Sequence, residues 1–208
     1  MKKLLYIEAS PRKSRSLSTQ LAEVFIENFL AKNPEYSLIK LNLWSLELPE
    51  FNEAATNAKF KFPHGQAMTE AENEIWSKVM ALFRQFKSAD KYLLSIPMWN
   101  FLFPYKLKHY IDLITQPGLS FEISPEGEYR GLVTGRPVML IYSRGGDYSE
   151  KETSALDFQR NYLRFYFQFI GFTDIREIVA GPTQGDVKIV EAVKQKAISQ
   201  AISAAGDF

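Results

Sequence analysis

Two hydrophobic periods alternate along the chain. Residues 4–9, 92–96 and 137–143 are short, near-continuous apolar runs, the pattern of strands buried on both faces. Residues 37–43 alternate, with Ile39, Leu41 and Leu43 to one side, and residues 174–180 form a further run of strand length. Between these runs the period becomes helical. Leu21, Val24, Phe25 and Phe29 share one face of a predicted helix. Ile75, Trp76, Val79, Leu82, Phe83 and Phe86 share another, behind a Thr69-Glu-Ala-Glu72 capping box. After Pro104, Leu107, Tyr110, Ile111 and Ile114 share a third. Residues 153–170 read as a helix crowded with Phe158, Tyr162, Phe165, Tyr166, Phe167 and Phe169. These do not fall on one face, so the helix is expected to bury two sides, with Gly171 as its stop. Residues 186–205 predict a last helix with Val190, Val193, Ala197 and Ala201 inward.

Two stretches fit neither period. Residues 44–67, with Pro49 and Pro63, read as a loop long enough to suggest a functional or partner-contacting role. Residues 120–135 read as a hairpin excursion turning at Pro125-Glu126-Gly127. Strands alternating with helices predict an α/β fold: a parallel sheet covered on both faces, giving three layers, α/β/α. Five strands fit the doubly wound order 2-1-3-4-5, although other doubly wound sheets share the alternation. No repeat or linker interrupts residues 1–208, so a single domain is expected.

Composition removes several functions. Lys and Arg total 25 against 24 for Asp and Glu, which leaves no basic excess for a phosphate backbone, so no nucleic-acid partner is expected. The chain has no cysteine, which excludes disulfides, thiolate metal sites and cysteine nucleophiles. Glu8 interrupts the apolar start, making it a strand rather than a signal peptide. No stretch approaches the roughly 20 apolar residues that cross a bilayer, so no membrane partner and a soluble, cytoplasmic protein are expected. His64 and His109 stand without a local carboxylate cluster, so no metal site is expected. Gly-x-Gly-x-x-Gly, Walker A and Gly-x-Ser-x-Gly motifs are all missing.

In an open α/β sheet, ligands bind outside the carboxyl ends of the strands, where the strand order reverses. In the expected order, the loops after the first, third and fourth strands meet there. The first runs from Ser10 to Ser18 and opens a helix, whose free N–H groups and dipole favour a phosphate; Ser10, Ser16 and Ser18 add hydroxyls, and Arg12, Lys13 and Arg15 add charge. Taken alone it also reads as an ordinary capped, solvated loop. The second, Pro97-Met98-Trp99-Asn100-Phe101, carries an amide between two large aromatics that cannot all point inward. The third, Ser143-Arg144-Gly145-Gly146, supplies donors and lets backbone approach a planar ligand, or else forms a simple turn. Together the three loops suit a flavin mononucleotide.

These loops carry a resemblance. Ser10 with Ser16-Leu17-Ser18, the 97–101 motif followed by Leu107-Lys108-x-Tyr110-x-Asp112, Gly131-Leu132-Val133-Thr134-Gly135, Ser143-Arg144-Gly145-Gly146 and Phe169-Ile170-Gly171-Phe172-x-Asp174 make the chain similar, over nearly its whole length, to the FMN-dependent NADH-azoreductase / NADH:quinone oxidoreductase family of flavodoxin-like enzymes. The resemblance implies FMN contacts at Ser10, Ser16, Leu17 and Ser18, at Pro97, Met98, Trp99, Asn100 and Phe101, and at Ser143, Arg144, Gly145 and Gly146. It implies a homodimer with active sites at the interface, where Phe121 and Tyr166 from the partner subunit wall the substrate beside Trp99. It implies ping-pong two-electron hydride transfer from NADH or NADPH, through FMN, to a quinone or azo acceptor, with no catalytic side chain of the protein's own. Trp99 stands where the family commonly has Tyr, which leaves FMN binding intact and reshapes the acceptor side. Two other readings stay open on the sequence: a flavodoxin-like electron carrier without a small substrate, and a non-catalytic protein that binds a phosphorylated ligand.

Overall fold

The computed structural model describes residues 1–208. Strands β1 (Lys2–Glu8), β2 (Tyr36–Asn42), β3 (Lys91–Pro97), β6 (Pro137–Ser143) and β7 (Asp174–Ala180) form one parallel sheet, while β4 (Phe121–Ile123) and β5 (Tyr129–Gly131) pair separately as a hairpin. The sheet order is β2-β1-β3-β6-β7. Numbered along the chain, this departs from the expected 2-1-3-4-5 because the hairpin adds two strands outside the sheet. The class is as expected.

Both faces are covered. Leu5, Ile7, Tyr92, Leu94, Val138 and Leu140 point to one side, into a core shared with α3 (Glu70–Lys87), α4 (Tyr105–Ile114) and α6 (Phe158–Ile170). Leu4, Tyr6, Leu93, Met139 and Ile141 point to the other, against α1 (Leu17–Lys32) and α7 (Val187–Asp207). This opposite-face burial explains why the central strands read as unbroken apolar runs.

Two elements differ from the sequence reading. Residues 44–67 are not a bare loop: α2 (Glu53–Lys61) lies within them, followed by a 3₁₀ turn at Phe62–His64. Asn52 caps α2 by accepting from Ala55 N–H at 3.2 Å, but the helix buries only Ala55 and Ala58, too small to mark a hydrophobic face. The predicted 153–170 helix is two pieces, α5 (Lys151–Ser154) and α6. Asp157 separates them and caps α6 with its carboxylate, which accepts from Arg160 N–H at 3.0 Å. Leu163, Tyr166, Phe167 and Ile170 of α6 are buried, while Phe158 and Phe165 stay exposed.

At the end of α6 the predicted stop is present. Gly171 has φ 114° in the left-handed region, and its backbone packs so closely on Gly131 that a Cβ on Gly131 would meet Gly171 N at 2.3 Å. Ile170 C=O accepts from Val133 N–H at 2.9 Å, so the base of the hairpin is fixed to the end of α6.

Candidate functional site

Strand register brings the three loops together. Glu8 pairs with Ser95, and Pro97 with Ser143, so β1, β3 and β6 end side by side. Met98 N–H donates to Ser143 C=O at 2.8 Å and ties the second loop to the third. A cleft of about 370 Å³ opens between them. Ser10, Ser16, Leu17, Pro97, Met98, Trp99, Ser143, Arg144 and Gly145 line it, with Arg12 and Arg15. Ser18 is buried behind Ser16, with the two hydroxyl oxygens 3.1 Å apart. Asn100, Phe101 and Gly146 complete the same loops without lining the cleft. Phe121 and Tyr166 lie elsewhere. Tyr166 is buried in the core, its hydroxyl 3.2 Å from that of Thr115, and borders a second cavity; Phe121 packs on Tyr129 and Phe169 next to that cavity.

The sequence reading missed one side of the cleft. Thr183, Gln184, Val190 and Lys194 line it from the β7–α7 connection and from α7, and Gln20 lines it from α1. The signal was available: β7 is the neighbour of β6, and its carboxyl-end loop, Gly181-Pro-Thr-Gln-Gly185, is rich in turn residues. Thr183 N–H donates to Arg144 C=O at 3.0 Å, so this fourth loop is bound to the third.

The polar groups left free in the site are largely donors. The first backbone bond of α1 runs from Gln20 N–H to Ser16 C=O, 3.0 Å, so the N–H groups of Leu17, Ser18 and Thr19 precede it, and the Ser16 side chain does not cap them. On the second loop, Trp99 and Leu102 exchange backbone bonds of 3.2 and 2.9 Å around a two-residue turn, in which Asn100 has φ 47° and Phe101 φ 69°. Positive φ at both central residues is the geometry of a type I′ turn, and a bulky residue such as Phe is an outlier there. The N–H groups of Asn100, Phe101, Gly145 and Gly146, and the Asn100 side-chain amide, have no protein partner. Arg12, Arg15 and Lys194 make no ion pair, whereas Arg144, also at the cleft, is buried and paired with Asp157. No carboxylate and no histidine lines the cleft.

Such a site offers positive charge and a helix N-terminus at one end and unpaired backbone donors at the other. It suits a ligand with a phosphate and a planar, carbonyl-rich ring, so the residues fit FMN. Trp99 is 38% exposed at the mouth, with its ring 5.8 Å from that of Trp44. Trp44 in turn meets Tyr105 edge-on at 5.4 Å and donates its indole N–H to Ala9 C=O at 2.9 Å.

Comparison with known proteins finds relatives of both the sequence and the fold. The family model for the flavodoxin-like fold matches residues 2–204. A protein of Desulfotalea psychrophila named FMN-dependent NADH:quinone oxidoreductase is 50% identical over 208 residues, covering 100% of this chain and 98% of its own. The crystal structure of an azoreductase from Bacillus anthracis superposes with a TM-score of 0.94 at 28% identity, covering 100% of both chains. That of an FMN-dependent NADH-azoreductase from Bacillus anthracis in complex with FMN superposes with a TM-score of 0.86 at 26% identity, covering 99% of this chain and 100% of the other.

Proposed function

The chain belongs to the flavodoxin-like family of FMN-dependent NADH:quinone oxidoreductases and azoreductases, and on that premise we propose that it is an NADH:quinone oxidoreductase and azoreductase that works through FMN in the cleft between β1, β3 and β6. One observation carries the reading: the loops after these strands converge with the N–H groups of Asn100, Phe101, Gly145 and Gly146 unpaired, around a cleft that no carboxylate and no histidine lines. Ser10, Ser16 and Ser18, with the N–H groups at the start of α1, would hold the phosphate, and Arg12, Arg15 and Lys194 would balance its charge. Pro97, Met98, Trp99, Asn100 and Phe101 on one side and Ser143, Arg144, Gly145 and Gly146 on the other would seat the ring. Bound there, FMN would supply the two-electron hydride chemistry that couples oxidation of NADH or NADPH to reduction of a quinone or azo compound, in ping-pong order. The free N–H groups of the second and third loops would stabilise negative charge on whatever they face. Trp99 limits the room left for an acceptor.

The whole of residues 1–208 is read as one domain of a cytoplasmic enzyme that acts as a homodimer. Phe121, and Tyr166 through the cavity it borders, are read as walls of the partner's acceptor pocket. Exposed Phe165, Phe158 and Tyr129 on that side of the molecule support the reading.

The test is to purify the protein, record its absorption spectrum, and follow oxidation of NADH and NADPH against a panel of quinones and azo dyes. A yellow protein with bound FMN and direct turnover is expected. A protein that takes up no FMN would overturn the flavin reading, and reduction only through a separate reductase would make it a carrier.

A further inference from the structure

The first turn of α6 lies behind the cleft without lining it, yet it holds two of the loops that do. Gln159 is wholly buried, at 0% exposure. Its side-chain N–H donates to Ile96 C=O at 3.1 Å, and its backbone N–H donates to Phe101 C=O at 2.9 Å. One residue therefore grips the second loop just before Pro97 and again at the end of the turn. Asp157, 4% exposed, accepts Arg160 N–H as the cap of α6 and pairs with Arg144, the second residue of the third loop.

The second loop needs such a hold. Asn100 and Phe101 both sit in the left-handed region, where a phenylalanine costs on the order of 1–2 kcal/mol relative to a relaxed backbone. The turn's own bonds, between Trp99 and Leu102, close it without fixing its direction. A buried glutamine is also an expensive anchor, because its side-chain oxygen is buried with no partner. Leucine would pack at this place with no polar side-chain atom left over, at the cost of one donor to the Ile96 carbonyl, so the amide is best explained by the hold it takes on that carbonyl.

We propose that Gln159 is a positioning residue for the cofactor site, fixing the Pro97–Phe101 turn so that Pro97, Met98 and Trp99 keep their place in the cleft wall and the unpaired N–H groups of Asn100 and Phe101 keep theirs beside it, and that Asp157 does the same for the Ser143–Gly146 loop through Arg144. The proposal rests on the FMN reading above. It makes α6, which carries Tyr162, Phe165 and Tyr166 around the second cavity, the element that joins the flavin loops to the substrate wall.

The test uses the full-length protein with Gln159→Leu and the near-isosteric Gln159→Glu, which replaces the donor N–H by an acceptor facing Ile96 C=O. Loss of one oriented hydrogen bond is expected to weaken FMN binding about tenfold, and to move the flavin reduction potential to a more negative value as donors to the reduced ring lose their aim. Without FMN, hydrogen exchange across residues 97–103 is expected to quicken in both variants, while Gln159→Leu unfolds within a few degrees of the parent protein. Two results would overturn the proposal: unchanged affinity, potential and exchange, or a lowered unfolding temperature with unchanged FMN affinity and potential, which marks a purely structural residue. A parent protein that binds no FMN would instead remove the functional reading and leave the exchange measurement to judge Gln159.

Discussion

At the scale of single residues, the second loop is where chemistry and strain meet. Asn tolerates the left-handed region better than other side chains do, so Asn100 serves both the turn and the site. Asn100→Ala removes an orienting amide and adds backbone strain together; FMN affinity is expected to fall about tenfold, or roughly 1–2 kcal/mol. Asn100→Gly keeps the backbone geometry and removes only the amide, so equal losses in the two variants by fluorescence titration assign the effect to the side chain. Trp99 is a different case. It leans on Trp44, which Tyr105 and the Ala9 carbonyl hold in place, so its ring is a braced wall. Trp99→Tyr should leave FMN content unchanged and change kcat/KM across a quinone panel severalfold, most for the bulkiest acceptors. The loop itself was legible in the sequence, because two aromatics and an amide after a buried strand have no packing reason to be there. The turn type was not, since Asn-Phe lacks the glycine that usually marks it. Nor was the Trp44 brace, a tertiary contact between residues 55 positions apart.

At the scale of elements, legibility followed the size of the buried side chains. Helix α3 announced itself through Trp76, Val79, Leu82, Phe83 and Phe86, and α2 stayed hidden because it buries only alanines. The α3 start was equally plain: Thr69 Oγ1 accepts Glu72 N–H at 3.3 Å, and Glu72 accepts Thr69 N–H at 2.8 Å. The structure adds Lys61, at the end of α2, whose ammonium donates to both Glu72 carboxylate oxygens at 2.8 and 2.7 Å. The box thus also docks α2. Thr69→Ala is expected to cost about 1 kcal/mol in chemical denaturation. The Lys61 hydrogen bonds, and then the Thr69 N–H, hold the Glu72 carboxyl below its usual value of 4.5. With the folded value depressed, the unfolded chain binds more protons in this window. The contribution is therefore complete above about pH 4.5 and is lost as pH falls through the lowered value. Glu72→Gln should flatten this part of the acid limb in thermal unfolding between pH 5 and pH 3; an unchanged limb would show that the pair adds nothing.

At the scale of the whole molecule, the alternation of periods predicted the parallel sheet, and the sheet order then decided which loops could meet. The sequence could not show which aromatics of the last third of the chain face solvent, because Tyr166 and Phe167 are buried on the same helix that exposes Phe165 at 66%. The exposed ring stacks on Phe169 at 6.3 Å and borders the apolar cavity of about 440 Å³ with Tyr129, Tyr162 and Tyr166. A lone chain gains nothing from keeping that surface in water, and a second copy would cover it. A charge placed there should then act on assembly and leave the cleft alone. On the proposed homodimer, Phe165→Glu is expected to shift the protein from dimer to monomer in sedimentation velocity at micromolar concentration. Its FMN content should stay the same, since Phe165 is exposed and makes none of the contacts by which Gln159 and Asp157 hold the flavin loops. With Phe121 and Tyr166 as the proposed walls of the neighbouring pocket, quinone turnover should fall with the dimer. If the parent protein sediments as a monomer and turns over quinone at the same rate as the variant, the acceptor pocket is complete within one chain and the cross-subunit wall is wrong.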